Sequence, residues 1–100
     1  LDALTKSVVQ EHLLELFDFS PKTIFFITHD LEEAIFLADR VAVMTTRPGM
    51  IKKIVAVDIP RPRDYRVLTS NRFLELKAEL GEAIHEEAKK AFEAGERELA

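Results

Sequence analysis

His29 and Asp30 close the run Thr23–Thr28 (TIFFIT) and stand directly before Leu-Glu-Glu-Ala. An imidazole beside a carboxylate can move a proton near neutral pH or donate a hydrogen bond to an anionic oxygen. The position adds a location to that chemistry. TIFFIT is β-branched and aromatic without alternation, the pattern of a strand covered on both faces. In open α/β sheets, ligands gather outside the carboxyl ends of such strands. A lone histidine at a strand end is more often hydrogen-bonded than catalytic, so the flanking residues must decide. The other histidines, His12 and His85, have Glu11, Glu15, Glu82 and Glu86 nearby. No HExxH or similar metal spacing occurs, and solvated helix faces explain them better. There is no cysteine, which removes thiolate and disulfide chemistry.

The elements that must hold His29 follow from the pattern around it. Leu4, Val8, Val9, Leu13, Leu16 and Phe17 recur at helical spacing, predicting an amphipathic helix from Leu4 to Phe17. Asp2 or Thr5 can cap its start, and Pro21 ends it by disfavouring helix at Ser20. Asp30, with Glu33 three residues on, is a cap for the next helix, whose apolar face is Leu31, Ala34, Ile35 and Ala38. Val41–Thr46 and Met50–Ile59 predict a hairpin around the turn Arg47-Pro-Gly, with Gly49 free to take positive φ and an irregularity at Lys52-Lys53. Pro60–Asp64 is an extended connector. Ser70 or Asn71 caps a long helix with Phe73, Leu76, Leu80, Ile84, Ala88 and Ala91 on one face, and Glu93–Ala100 are expected to fray. Gly81 weakens that helix by about 1 kcal/mol relative to alanine. Phe25 and Phe26 read as core. The order helix, strand, helix, strand, strand, helix predicts an α/β fold, with a truncated parallel sheet, a β-hairpin and a C-terminal helix.

Composition bounds the rest. One hundred residues, 47% of them hydrophobic, suit one small domain with a core. The formal charge of −4 is too mild to imply a polyionic partner. It is unevenly spread: residues 47–66 carry six cations against two anions, and residues 71–100 carry five against eight. The basic stretch has only Tyr65 as an interleaved aromatic, so an exposed hairpin is expected and no nucleic acid. No leader pattern is visible, and no apolar run approaches the ~20 residues of a membrane span. The chain begins at Leu1 rather than Met, and the expectation is a piece of a longer polypeptide.

Four motifs together resemble the ATP-binding subunits of ABC transporters. Leu1-Asp2 with Ala-Leu-Thr is similar to the end of the family's D-loop. Ile27-Thr-His-Asp with Glu33-Ala34 resembles its switch-histidine loop. Ala38-Asp-Arg-Val-Ala-Val-Met resembles the strand after it. Arg47-Pro-Gly-Met-Ile and Pro60-Arg-Pro-Arg resemble the branch that imports nitrate, sulfonate, taurine and related solutes. The resemblance covers roughly Leu1 to Arg72. It implies the C-terminal portion of a P-loop NTPase domain over residues 1–69, followed by a helix over residues 70–100. It implies that His29 reaches the γ-phosphate and the attacking water, and that Asp2 couples the two sites of a dimer, a role compatible with helix capping. Glu32, Glu33 and Asp39 fall to capping and helix-surface roles.

The departures from the family are equally specific. No G-x-x-x-x-G-K-[ST] occurs, and the signature motif, glutamine loop and Walker B acids are absent. ATP and Mg²⁺ are therefore expected only in the complete parent, and this chain alone is expected neither to bind nor to hydrolyse ATP. The parent's partners would be a second ATPase subunit and a membrane permease, at the cytoplasmic face of the cell membrane. The alternative is a truncated, non-catalytic interaction module, with self-association at the sheet edge left open by missing strands.

Overall fold

The computed structural model describes residues 3–20, 23–45 and 49–99. In chain order they form α1 (Ala3–Phe19), α2 (Leu31–Leu37), β1 (Arg40–Met44), β2 (Ile51–Ala56), a 3-10 turn (Tyr65–Thr69) and α3 (Asn71–Leu99). Asp2, Arg47 and Pro48 lie outside the described residues.

The hairpin forms as the alternation requires. β1 and β2 pair antiparallel from Arg40↔Ala56 to Met44↔Ile51. The register slips between Val43 and Met44, which face Lys53 and Ile51. Lys52 is the extra residue, so the irregularity falls at the two lysines, as a β-bulge does. Val57 donates to the Asp39 carbonyl at 2.8 Å and carries the pairing one step further. Val43, Val55, Val57 and Ile59 point into the core. Gly49 does not use its conformational freedom, since no described glycine has positive φ.

The strand expected at Thr23–Thr28 is absent. Those residues run from Phe19 to α2 without ladder bonds, and the only sheet among the described residues is the two-stranded antiparallel hairpin. The predicted parallel sheet is therefore corrected. So is the core reading of the aromatics: Phe25 is 89% exposed and Ile27 82%, with Phe26 exposed as well. The physical reason is a missing neighbourhood. A strand of this composition forms where strands lie beside it and layers cover both faces, and among the described residues Thr23–Thr28 joins neither strand of the hairpin.

The core sits where α2 and α3 meet the hairpin. Ile35, Phe36, Phe73, Leu76 and Leu80 are its most buried side chains. Ser70 starts α3: its hydroxyl accepts from Phe73 N–H and its carbonyl from Leu74 N–H. The predicted stripe holds through Leu80 and then changes. Ile84 is 44% exposed and Ala88 and Ala91 are exposed, whereas Ala83 and Glu87 are buried. The backbone of α3 continues unbroken to Leu99, beyond the point where fraying was expected. Lysines fix its docking to the bulged strand. Lys52 donates to the Ala83 carbonyl and lies 2.8 Å from Glu86 and 3.1 Å from Glu87; Lys53 lies 3.0 Å from Glu79.

In α1 the inward face also differs from the simplest reading. Gln10 and Leu14 are buried, with Leu13 and Phe17 half-buried, while Leu4, Val8, Val9 and Leu16 are exposed. A polar residue on the inward face needs a partner, and Gln10 finds it on α2.

Candidate functional site

Asp30 is the junction around which His29 is set. Its backbone is extended (φ −90°, ψ 107°), and its Oδ1 accepts from Glu33 N–H at 3.2 Å, satisfying one of the free donors at the start of α2. Its N–H donates to Thr28 Oγ1 at 2.9 Å, closing a tight turn around His29. Its other carboxylate oxygen pairs with the Lys6 ammonium of α1. One turn further along α1, Gln10 Nε2 donates to Glu33 Oε2 at 3.2 Å. Lys77 of α3 reaches Glu32 at 2.7 Å. The first turn of α2 is thus tied to both long helices.

His29 itself is exposed, just after Thr28 and one residue before the N-cap of α2. No hydrogen bond of its ring is formed among the described residues. Both oxygens of Asp30 are occupied, by Glu33 N–H and by Lys6, so the carboxylate anchors the start of α2.

The far end of α2 is held by a device that the sequence reading missed. The helix ends at Leu37-Ala38-Asp39 with no glycine or asparagine to turn the chain and cover the last carbonyls. Two arginines cover them instead. Arg63 Nη1 donates to the carbonyls of Ile35, Phe36 and Ala38, at 3.3, 3.0 and 2.8 Å. Its Nη2 donates to Val57 and Ile59, and its Nε to Ile59. Arg61 Nη2 takes the Leu37 carbonyl at 2.8 Å and also meets Asp39 Oδ1 at 2.9 Å. Four consecutive carbonyls thus face two guanidinium groups.

Arg63 is only 5% exposed. Counting it with an exposed basic hairpin is therefore corrected. Burial, and after it the neighbouring Arg61, push its pKa down to about 10, so it stays a full cation at neutral pH. The available signal was the uncapped end of α2 together with an Arg-Pro-Arg in reach.

His12 lies 3.9 Å from Glu15 on an exposed face of α1, and no group of three or more metal-type side chains forms among the described residues. No described helix is long and apolar enough to cross a membrane.

No protein-family model matches the chain. Individual proteins do. An uncharacterized ABC transporter ATP-binding protein of Methanocaldococcus jannaschii is 44% identical over 91 residues, 91% of this chain and 33% of that protein. An aliphatic sulfonates import ATP-binding protein of Bacillus cereus is 40% identical over 77% of this chain and 30% of its own length. A bicarbonate transport ATP-binding protein of Synechococcus elongatus is 42% identical over 77% of this chain and 28% of its own length. The chain spans about a third of the length of the curated relatives it matches.

Proposed function

We infer that this chain, whose homologues over nine-tenths of its length are ABC transporter ATP-binding proteins, is part of an ATP-hydrolysing subunit that powers import of a small anion such as nitrate, a sulfonate or taurine. The observation that carries the reading is the placement of His29. It is an exposed residue directly before the anchored N-cap Asp30 of α2, in a chain homologous to ATP-binding proteins. Phosphoryl transfer to water rests on positioning and on stabilising charge at the γ-phosphate. In the complete subunit the nucleotide supplies that phosphoryl group. His29 donates a hydrogen bond to an anionic oxygen and orients the attacking water, while Asp30 stays paired with Lys6 and caps α2. Asp2, by the resemblance of its motif, couples the two sites of a dimer.

The chain has no phosphate-cradling glycine loop and no Walker B acids, so the main contacts to ATP and Mg²⁺ come from sequence outside it. By itself it neither binds nor hydrolyses ATP. Residues 1–69 belong to the ATPase domain, and residues 70–100, which include α3 (Asn71–Leu99), are an appendage to it. The partners are a second such subunit and a membrane permease, at the cytoplasmic face of the membrane.

The deciding experiment is His29→Ala in the full-length subunit. ATP binding is expected to persist while hydrolysis falls by about 10² or more, the usual cost of losing a positioned proton-handling side chain. Unchanged turnover would remove the assignment. A second reading, a non-catalytic interaction module that associates with itself, is favoured by the exposed Ile24–Ile27 segment. It requires that the same substitution leave every nucleotide-dependent property untouched.

A further inference from the structure

We propose that Lys6 and Gln10 make α1 the positioning element for His29, with Asp30 as the joint between them. The proposal rests on the reading of His29 given above. Two residues one turn apart on α1 meet two residues one turn apart at the start of α2: Lys6 pairs with Asp30, and Gln10 with Glu33. Side chains four apart on a helix share a face, so the two contacts act as a two-point fixture rather than a single tether. Two points fix both the distance and the rotation of α2 relative to α1.

The joint is stiff on the histidine side as well. Asp30 is the residue after His29, and its N–H is held by Thr28 Oγ1. Glu33 is shared between the fixture and the cap, because its N–H bonds Asp30 while its carboxylate takes Gln10. Gln10 is 6% exposed, and burying an amide there costs free energy unless it makes this bond. A residue serving only solubility would not be buried at that cost. Any movement of α1 along its axis is therefore transmitted to His29 through Asp30. Lys6 is a positioning residue in this scheme, because it acts through Asp30.

The test is a double-mutant cycle in the full-length subunit, reading kcat and KM for ATP. Lys6→Met keeps the stem and removes the charge. Asp30→Asn keeps an oxygen for the α2 cap, since asparagine caps as well as aspartate, and removes the charge facing Lys6. Each single variant is expected to lower kcat roughly tenfold, the scale of a small misplacement of a catalytic group, with KM within about twofold. The double variant should be no worse than either single one, because both delete the same contact. Lys6→Arg should restore turnover, since it restores the pair. A merely structural role would lower the melting temperature without this pattern.

Wild-type turnover in Lys6→Met, or losses that multiply in the double variant, would overturn the proposal. His29→Ala is run alongside. If it is inactive while Lys6→Met is normal, only the positioning role fails. If it turns over normally, the functional reading fails and takes this proposal with it.

Discussion

At the scale of single residues, the unusual member is Arg63. A guanidinium is a rigid, planar fork with five donors. Here all three of its nitrogens donate to main-chain carbonyls, from α2 on one side and from the chain after β2 on the other. Its charge is not matched by a carboxylate in contact; it is spread over carbonyl dipoles. Truncation would leave several buried acceptors unsatisfied, each costing ~1–3 kcal/mol. Arg63→Met is therefore expected to lower the unfolding free energy by at least about 3 kcal/mol, measured by urea denaturation. Arg63→Lys should recover little, because a compact ammonium on a flexible stem cannot span both sets of carbonyls. A loss under about 1 kcal/mol in the methionine variant would mean that water satisfies those carbonyls.

At the scale of elements, the sequence was most legible where local rules suffice. The cap Asp30 with Glu33, the hairpin with its irregularity at Lys52-Lys53, and the start of α3 at Ser70 all depend on neighbours within a few residues. It was least legible where an element depends on what lies beside it. Thr23–Thr28 has the composition of a buried strand, yet strand formation needs a partner, and among the described residues the segment pairs with neither strand of the hairpin. The inward faces of α1 and α3 failed for a related reason. Hydrophobic periodicity alone cannot foresee that Gln10 and Glu87 are drawn inward by Glu33 and Lys52. The motif singles out His29 and Asp30 as candidates, whereas Lys6 and Gln10 carry no local signal and Arg63 only the uncapped end of α2 with an Arg-Pro-Arg in reach. Gly81 shows a local rule that still applies. A Cβ built there would lie 3.7 Å from Leu31 Cδ2, an ordinary contact. Gly81→Ala should thus raise the stability of α3 by about 0.5–1 kcal/mol through backbone entropy alone, seen as a higher melting temperature. A lower one would mean that α2 and α3 approach more closely than that contact allows.

At the scale of the whole molecule, α3 is fastened to the rest by ion pairs as well as by its buried Phe73, Leu76 and Leu80, and the protonation of the carboxylates sets an acid limit. Arg72 bonds Asp58 at 2.6 Å and holds its carboxyl below the ordinary range. Arg66 does the same for Asp64, and Lys52 for Glu86 and Glu87. In each case the hydrogen bond to the cation is the leading cause. The folded pKa of these four carboxyls lies below the unfolded one. Their contribution is therefore complete above the unfolded values, near about pH 4, and is lost as pH falls through the lower folded values. Lys52, Arg66 and Arg72 shift upward, so their share is complete below their unfolded values and is lost only in strong alkali. Stability is expected to be level around pH 7 and to fall between about pH 5 and about pH 3. Because Asp58 and Glu86 are exposed whereas Glu87 is buried, 1 M salt should flatten part of that fall through screening over about 3 Å. Urea midpoints across the acid range, with and without salt, check this. A flat profile down to about pH 3 would mean that α3 is held by Phe73, Leu76 and Leu80 alone, with the ion pairs contributing nothing measurable.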